Sequence, residues 1–130
     1  MKTEDTGSGR LETWTIAEVA AALKADEIAM IDVRTPAEYM FEQIQGALLA
    51  PMAFIVPERL PLGGDKPVVL YCGSSKRSEK VARQILAAGV IDRIAHMDGG
   101  FAAWKEAGQP YRGTDMASGA PVVTPAVKSG

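Results

Sequence analysis

Apolar residues in this chain fall into short blocks, and their spacing changes from block to block. Residues 1–10, MKTEDTGSGR, show neither helical spacing nor alternation and are expected to be a flexible arm. Thr13 to Thr15 suits a short strand. Thr15 and Glu18 then stand at capping-box spacing before Ile16, Val19, Ala20 and Leu23, which share one helical face. AMIDVR, residues 29–34, is an apolar run ending in charge, the pattern of a buried strand. Thr35 and Glu38 repeat the capping box with Pro36 at the first helical position, where its missing N–H costs nothing. ALLA, residues 47–50, predicts another short strand. Residues 52–60 read as helical, with a break or fresh start at Pro57.

LGGDK, residues 62–66, is a turn, and PVVLY, residues 67–71, is the clearest strand. From Ser78 to Ala88 the spacing predicts a helix, with Val81, Ala82, Ile85 and Leu86 on one face and Gly89 at the C-terminal cap. RIAHM, residues 93–97, gives a last strand. A turn at Asp98–Gly100 leads into a final helix closed by Gly108 and Pro110. Residues 112–130, rich in Gly, Ala, Ser and Pro, are expected to be disordered. Strands alternating with helices imply an α/β fold, a parallel sheet covered on both faces.

Composition narrows the function. The chain has 130 residues, 47% of them apolar and 23% charged, which suits one globular domain. With 14 basic and 16 acidic residues and no polybasic run, nothing is built for nucleic acid. No apolar run approaches the ~18 residues of a membrane span, and no signal peptide is visible. Cys72 is the only cysteine, so an internal disulfide is excluded and a reducing, cytoplasmic location is expected. One cysteine and one histidine, His96, also argue against a thiolate-rich metal site.

The candidate chemistry lies in VVLYCGSSKRSEK, residues 68–80. Cys72 ends the clearest strand, and ligands of open α/β sheets bind beyond the carboxyl ends of strands. A strand–loop–helix turn over residues 73–77 can curl backbone N–H groups of Gly73, Ser74, Ser75, Lys76 and Arg77 around one anion. The helix N-terminus and the Lys76 and Arg77 charges add to that field. These features favour the thiolate, which is the nucleophilic form of cysteine. A small hydrophobe closing a buried strand is the bland alternative. The glycine and hydroxyls that follow would pack poorly around one. Ser74, Ser75 and Ser78 can donate to a bound anion, and Ser78 can also order the loop and the helix start.

Four blocks, IDVRTPAEY, QIQGA, VVLYCGSSKRS and MDGGFAAWKEAGQPY, occur in the order and spacing of a single-domain rhodanese. The resemblance covers roughly residues 12–111, so residues 11–111 are expected to form the rhodanese-like domain. It implies a three-layer α/β/α sandwich around a mostly parallel sheet of about five strands. It also implies a sulfurtransferase in which Cys72 carries a persulfide. A small anionic sulfur donor such as thiosulfate supplies the sulfur. Cyanide or a thiol accepts it, or a sulfur-accepting protein partner, and no metal or organic cofactor takes part. By the same resemblance Asp32 and Arg34 brace the site through a salt bridge or hydrogen bonds to loops, with strand-end capping as the alternative.

This chain departs from the family pattern at Gln43 and Gln45, where histidine and proline are usual, and at Ser75, often glycine. If position 75 takes a positive φ, serine is strained there. Cys72 to Arg77 is Cys-x4-Arg, one residue shorter than the Cys-x5-Arg loop of tyrosine phosphatases. That argues against phosphatase or arsenate-reductase chemistry. A persulfide-carrying or sulfur-sensing module acting on a partner is the other reading, with the C-terminal tail as a docking segment. His96 is read as structural, because a thiolate made by the loop needs no separate base. Phe101 and Trp104 are read as core.

Overall fold

A computed structural model of the protein describes residues 1–127. Its main sheet has six strands. In chain order they are β1 (Lys2–Asp5), β2 (Arg10–Trp14), β3 (Ala29–Asp32), β5 (Leu48–Leu49), β6 (Val68–Tyr71) and β7 (Arg93–Met97). Across the sheet they lie in the order β1-β2-β7-β6-β3-β5. The five strands from β2 to β5 run parallel, and β1 joins the edge antiparallel to β2. A smaller antiparallel sheet joins β4 (Glu42–Gln43), β8 (Tyr111–Thr114) and β9 (Pro121–Thr124).

Helix α3 (Lys76–Ala87) packs Val81, Ala82, Ile85 and Leu86 against one face of the main sheet, on Leu11, Ile31, Leu70 and Ile94. The other face, carrying Met30, Val69, Tyr71 and Ala95, is covered by α1 (Ile16–Lys24) and α4 (Gly100–Glu106) through Val19, Ala22, Phe101 and Trp104. β6 is buried along its whole length because it lies in the middle of the sheet. Each aliphatic side chain buried there contributes roughly 1.5–3 kcal/mol. The three-layer α/β expectation is therefore met.

Both predicted capping boxes form. Thr15 and Thr35 each accept from the N–H three residues on, and Glu18 and Glu38 reach back to their caps. Pro36 opens α2 (Pro36–Phe41). Helix α3 starts two residues before the predicted Ser78, and Gly89 follows it with a φ of 74°. The helix expected over 52–60 is instead two 3₁₀ turns, Met52–Phe54 and Pro57–Arg59. Proline cannot donate an i→i−4 bond, so Pro57 begins a new turn.

The two ends correct the sequence reading. In place of a flexible arm, Lys2–Asp5 pairs with Arg10–Thr13, and Arg83 clamps Glu4 at 2.7 and 2.9 Å. The strand's side chains are all exposed, so backbone pairing and ion pairs hold it and no hydrophobic pattern marks it. In place of a disordered tail, β8 and β9 form a hairpin on β4, with Asp115 accepting from Ala117 and Ser118 in the turn. The same expectation for residues 128–130 falls outside the described residues.

Candidate active site

Cys72 follows the last residue of β6 and is wholly buried at the carboxyl end of the parallel sheet. The loop behind it is short, so the chain must turn sharply to start α3. That turn puts Ser75 at φ 119°, ψ −19°, a left-handed conformation in which a serine is strained by about 1–3 kcal/mol. The turn also aims two N–H groups at the sulfur: Ser75 N donates at 3.1 Å and Ser78 N at 3.3 Å. The Ser78 hydroxyl lies 3.6 Å from Sγ. Burial pushes the Cys72 thiol up, but the Ser78 N–H and hydroxyl and the N–H groups of Ser74 and Ser75 outweigh it and bring it below its ordinary value.

The cradle differs in detail from the one expected over residues 73–77. Its hydrogen bonds to sulfur come from Ser75 and from Ser78, one residue beyond that span. Ser74 is exposed, and Lys76 is exposed with no ion pair among the described residues. Arg77 is held in a two-pronged ion pair by Glu38 of α2, at 2.8 and 3.0 Å. A Cβ at Gly73 would meet Arg77 Nη2 at 3.2 Å, so the pair lies against the residue that follows the cysteine.

Helix α4 supports the loop from the other side. Phe101 N donates to Cys72 O at 2.8 Å and Ala102 N to Gly73 O at 3.1 Å. The loop carbonyls are thus tied to one helix N-terminus while its N–H groups face the sulfur. A Cβ at Gly100 would sit 2.6 Å from Cys72 O and from Ser74 N, and its φ is 63°, so only glycine allows this contact.

Asp32 and Arg34 do not touch the sulfur. Arg34 Nε and Nη2 grip the Asp32 carboxylate at 2.8–3.1 Å, and Nη2 also donates to Glu42 O at 2.7 Å. The guanidinium lies 4.6 Å from the Phe101 ring centre and 5.5 Å from that of Tyr71. The pair is buried and links β3 to Glu42 of β4, Tyr71 of β6 and Phe101 of α4. Burial works against the Arg34 charge, but Asp32 overcomes it and raises the group further.

Two neighbours were not singled out as site residues from sequence. From sequence Glu38 reads as a cap alone, because its spacing from Arg77 carries no signal before folding. His96 is buried with Nδ1 3.1 Å from Ser78 Oγ and Nε2 3.1 Å from Thr13 Oγ1. The Ser78 hydroxyl has one proton to give, to Ser75 O at 3.0 Å while Cys72 is a thiol and to Sγ once it is a thiolate. Nδ1 must then donate to it, and Nε2 accepts from Thr13. Burial lowers the His96 value, so the ring stays neutral and orders Ser78. Of the family departures, Gln43 donates to Tyr39 O at 2.9 Å, while Gln45 is exposed.

The rhodanese-like domain model matches residues 15–107, most of the chain and every element that builds this loop. The protein belongs to the rhodanese-like family. The chain is 42% identical over 85 residues to an uncharacterized protein of Synechocystis, a match covering 65% of this chain and 47% of that one. A protein of Allochromatium vinosum named sulfurtransferase is 33% identical over 85 residues, covering 65% of this chain and 78% of its own length. The rhodanese-like domain of an Anabaena protein, solved by NMR, shares the fold with a TM-score of 0.68 at 22% identity, covering 85% of this chain and 84% of that one. The rhodanese-like chain thus spans about half the length of its Synechocystis relative. Among the described residues no helix is long and apolar enough to cross a membrane.

Proposed function

We propose that this protein is a sulfurtransferase in which Cys72 carries sulfane sulfur from thiosulfate or a persulfide donor to cyanide or a thiol. The Cys72 thiolate attacks the outer sulfur of thiosulfate. A new S–S bond forms, the old one breaks, and sulfite leaves with its electron pair. The acceptor then attacks the outer sulfur of the persulfide, and Cys72 departs as the thiolate. The observation that carries this reading is the convergence of Ser75 N–H and Ser78 N–H on Sγ. Donors so placed stabilise negative charge on sulfur before and after transfer, at no cost in reorganisation. Gly73, Ser74, Lys76 and Arg77 border the entering donor, and Asp32 and Arg34 keep the loop in place. Residues 11–111 carry the reaction.

The short loop weighs against phosphate chemistry. Ser75 N and Ser78 N already meet at one sulfur atom, whereas a phosphate needs donors spread over several oxygens. Arg77 is moreover committed to Glu38. Intact-mass measurement after incubation with thiosulfate tests the proposal. A gain of one sulfur atom, lost on adding cyanide, is expected; an unchanged mass would overturn it. Discharge only to a partner protein, with none to cyanide or small thiols, would favour the persulfide-carrier reading.

A further inference from the structure

The loop beside Cys72 offers fewer free charges than its sequence suggests. Of its two cations, Lys76 is exposed and without an ion pair among the described residues, while Arg77 meets Glu38 through both prongs of its guanidinium. This pair is not buried scaffolding. The two side chains remain 34% and 37% exposed, and the guanidinium lies against Gly73, the residue after the nucleophile. Glu38 is fixed from its own helix too, because Oε1 accepts from Thr35 N and Thr35 Oγ1, each at 3.1 Å. The carboxylate is therefore anchored by α2 and presented to the mouth of the loop.

We infer that Glu38 is a donor-specificity residue: by clamping Arg77 it withholds that cation from small dianionic donors and biases Cys72 toward sulfane sulfur carried on an organic group. The inference rests on the sulfurtransferase reading above. A dianion such as thiosulfate must either displace Glu38 from Arg77 or approach a carboxylate–guanidinium pair with no net charge. A donor of lower charge loses less, because Coulomb attraction scales with the charge it brings. Arg77 holds the Glu38 carboxyl down at about 2, so the clamp stays ionised wherever Cys72 can work as a thiolate.

Glu38→Gln separates this role from the capping role. Glutamine keeps the capping box, since its carbonyl oxygen still accepts from Thr35 N. Its amide cannot offer two anionic oxygens to a guanidinium, so Arg77 is released. The test compares thiosulfate with benzenethiosulfonate, a monoanion that gives up its outer sulfur by the same S–S exchange, with benzenesulfinate leaving in place of sulfite.

In the full chain, Glu38→Gln is expected to lower KM for thiosulfate about tenfold and for benzenethiosulfonate about threefold, with kcat for each within about twofold. Arg77 in the variant should also become reactive to phenylglyoxal, located by peptide mass mapping, and be protected by thiosulfate. An unchanged thiosulfate KM, an equal shift for both donors, or a gain without protection of Arg77 would overturn the inference while leaving sulfur transfer intact. If neither donor adds sulfur to wild-type Cys72, the sulfurtransferase reading falls, and this inference with it.

Discussion

The two ends of the parallel sheet use charge in opposite ways. At the amino end lies a cleft of about 570 Å³ lined by Arg10, Glu12, Lys66, Asp92 and Arg93. Its buried carboxylate is satisfied: Glu12 accepts from Trp14 Nε1 at 3.0 Å and pairs with Arg10 at 2.9 Å and Arg93 at 3.6 Å. At the carboxyl end Cys72 is wholly buried, yet N–H groups converge on its sulfur without a formal counter-charge in contact. The amino end thus spends its charges on one another, whereas the proposed site depends on main-chain dipoles. The N–H groups aimed at that one atom come from the start of α3, while α4 holds the loop carbonyls, and both helices begin where the strands end.

If the ends differ in this way, the nucleophile is the most sensitive position. Cys72→Ser should reduce thiosulfate:cyanide transfer below about one per cent of wild type while the circular dichroism spectrum is unchanged. Residual turnover above that level would move the chemistry elsewhere.

Loop geometry comes next. A glycine inserted after Ser75 would displace the two N–H donors, and small displacements of preorganised donors are costly. Its kcat/KM for thiosulfate should fall further than that of Arg77→Ala, for which a loss of about tenfold is expected because Glu38 is left unopposed and repels the dianion. A folded insertion variant with near-normal transfer would show that charge rather than geometry distinguishes this end.

The thiolate itself can be titrated by its ultraviolet absorbance. Its midpoint should lie below that of a free thiol, about 8.5, because the Ser78 and loop donors outweigh burial. The sign follows from which form they favour: they stabilise the anion, so activity rises with pH through a lowered midpoint. Ser78→Ala removes the hydroxyl but keeps the N–H, and should raise that midpoint. No movement would mean the main chain alone sets it.

At the amino end Glu12→Gln should lower stability in urea by about 1–3 kcal/mol, because a buried carboxylate loses its ion pairs with Arg10 and Arg93. Sulfur transfer should not change, and a large activity loss would dissolve the contrast. The smallest expected effect is at Ser75. Glycine there relieves the positive φ, and Ser75→Gly should raise stability by roughly 1 kcal/mol, visible in the same urea titration.

Much of this was legible before folding, for local reasons. The capping boxes at Thr15 and Thr35, the α3 face and the buried β6 run depend on neighbours within one turn or one strand, so spacing alone reveals them. Cys72 was legible because a strand end, a glycine and hydroxyls are adjacent in the chain. The strain at Ser75 could be stated only conditionally, since φ is set by the path from β6 into α3.

What the tertiary structure decided depends on partners far apart in the chain. Lys2–Asp5 is polar throughout and becomes a strand only because Arg10–Thr13 offers an open edge and Arg83 faces Glu4. Tyr111–Thr114 and Pro121–Thr124 pair because Glu42–Gln43 gives them a first strand. His96 orders Ser78 from a neighbouring strand, with Thr13 behind it. Glu38 and Arg77 each look like ordinary helix-start residues, one acidic and one basic. Only the packing of α2 beside the start of α3 brings their charges within 3 Å and cancels a cation that the sequence alone counted as free. Charge neutralisation depends on distance in space, and sequence separation does not report it.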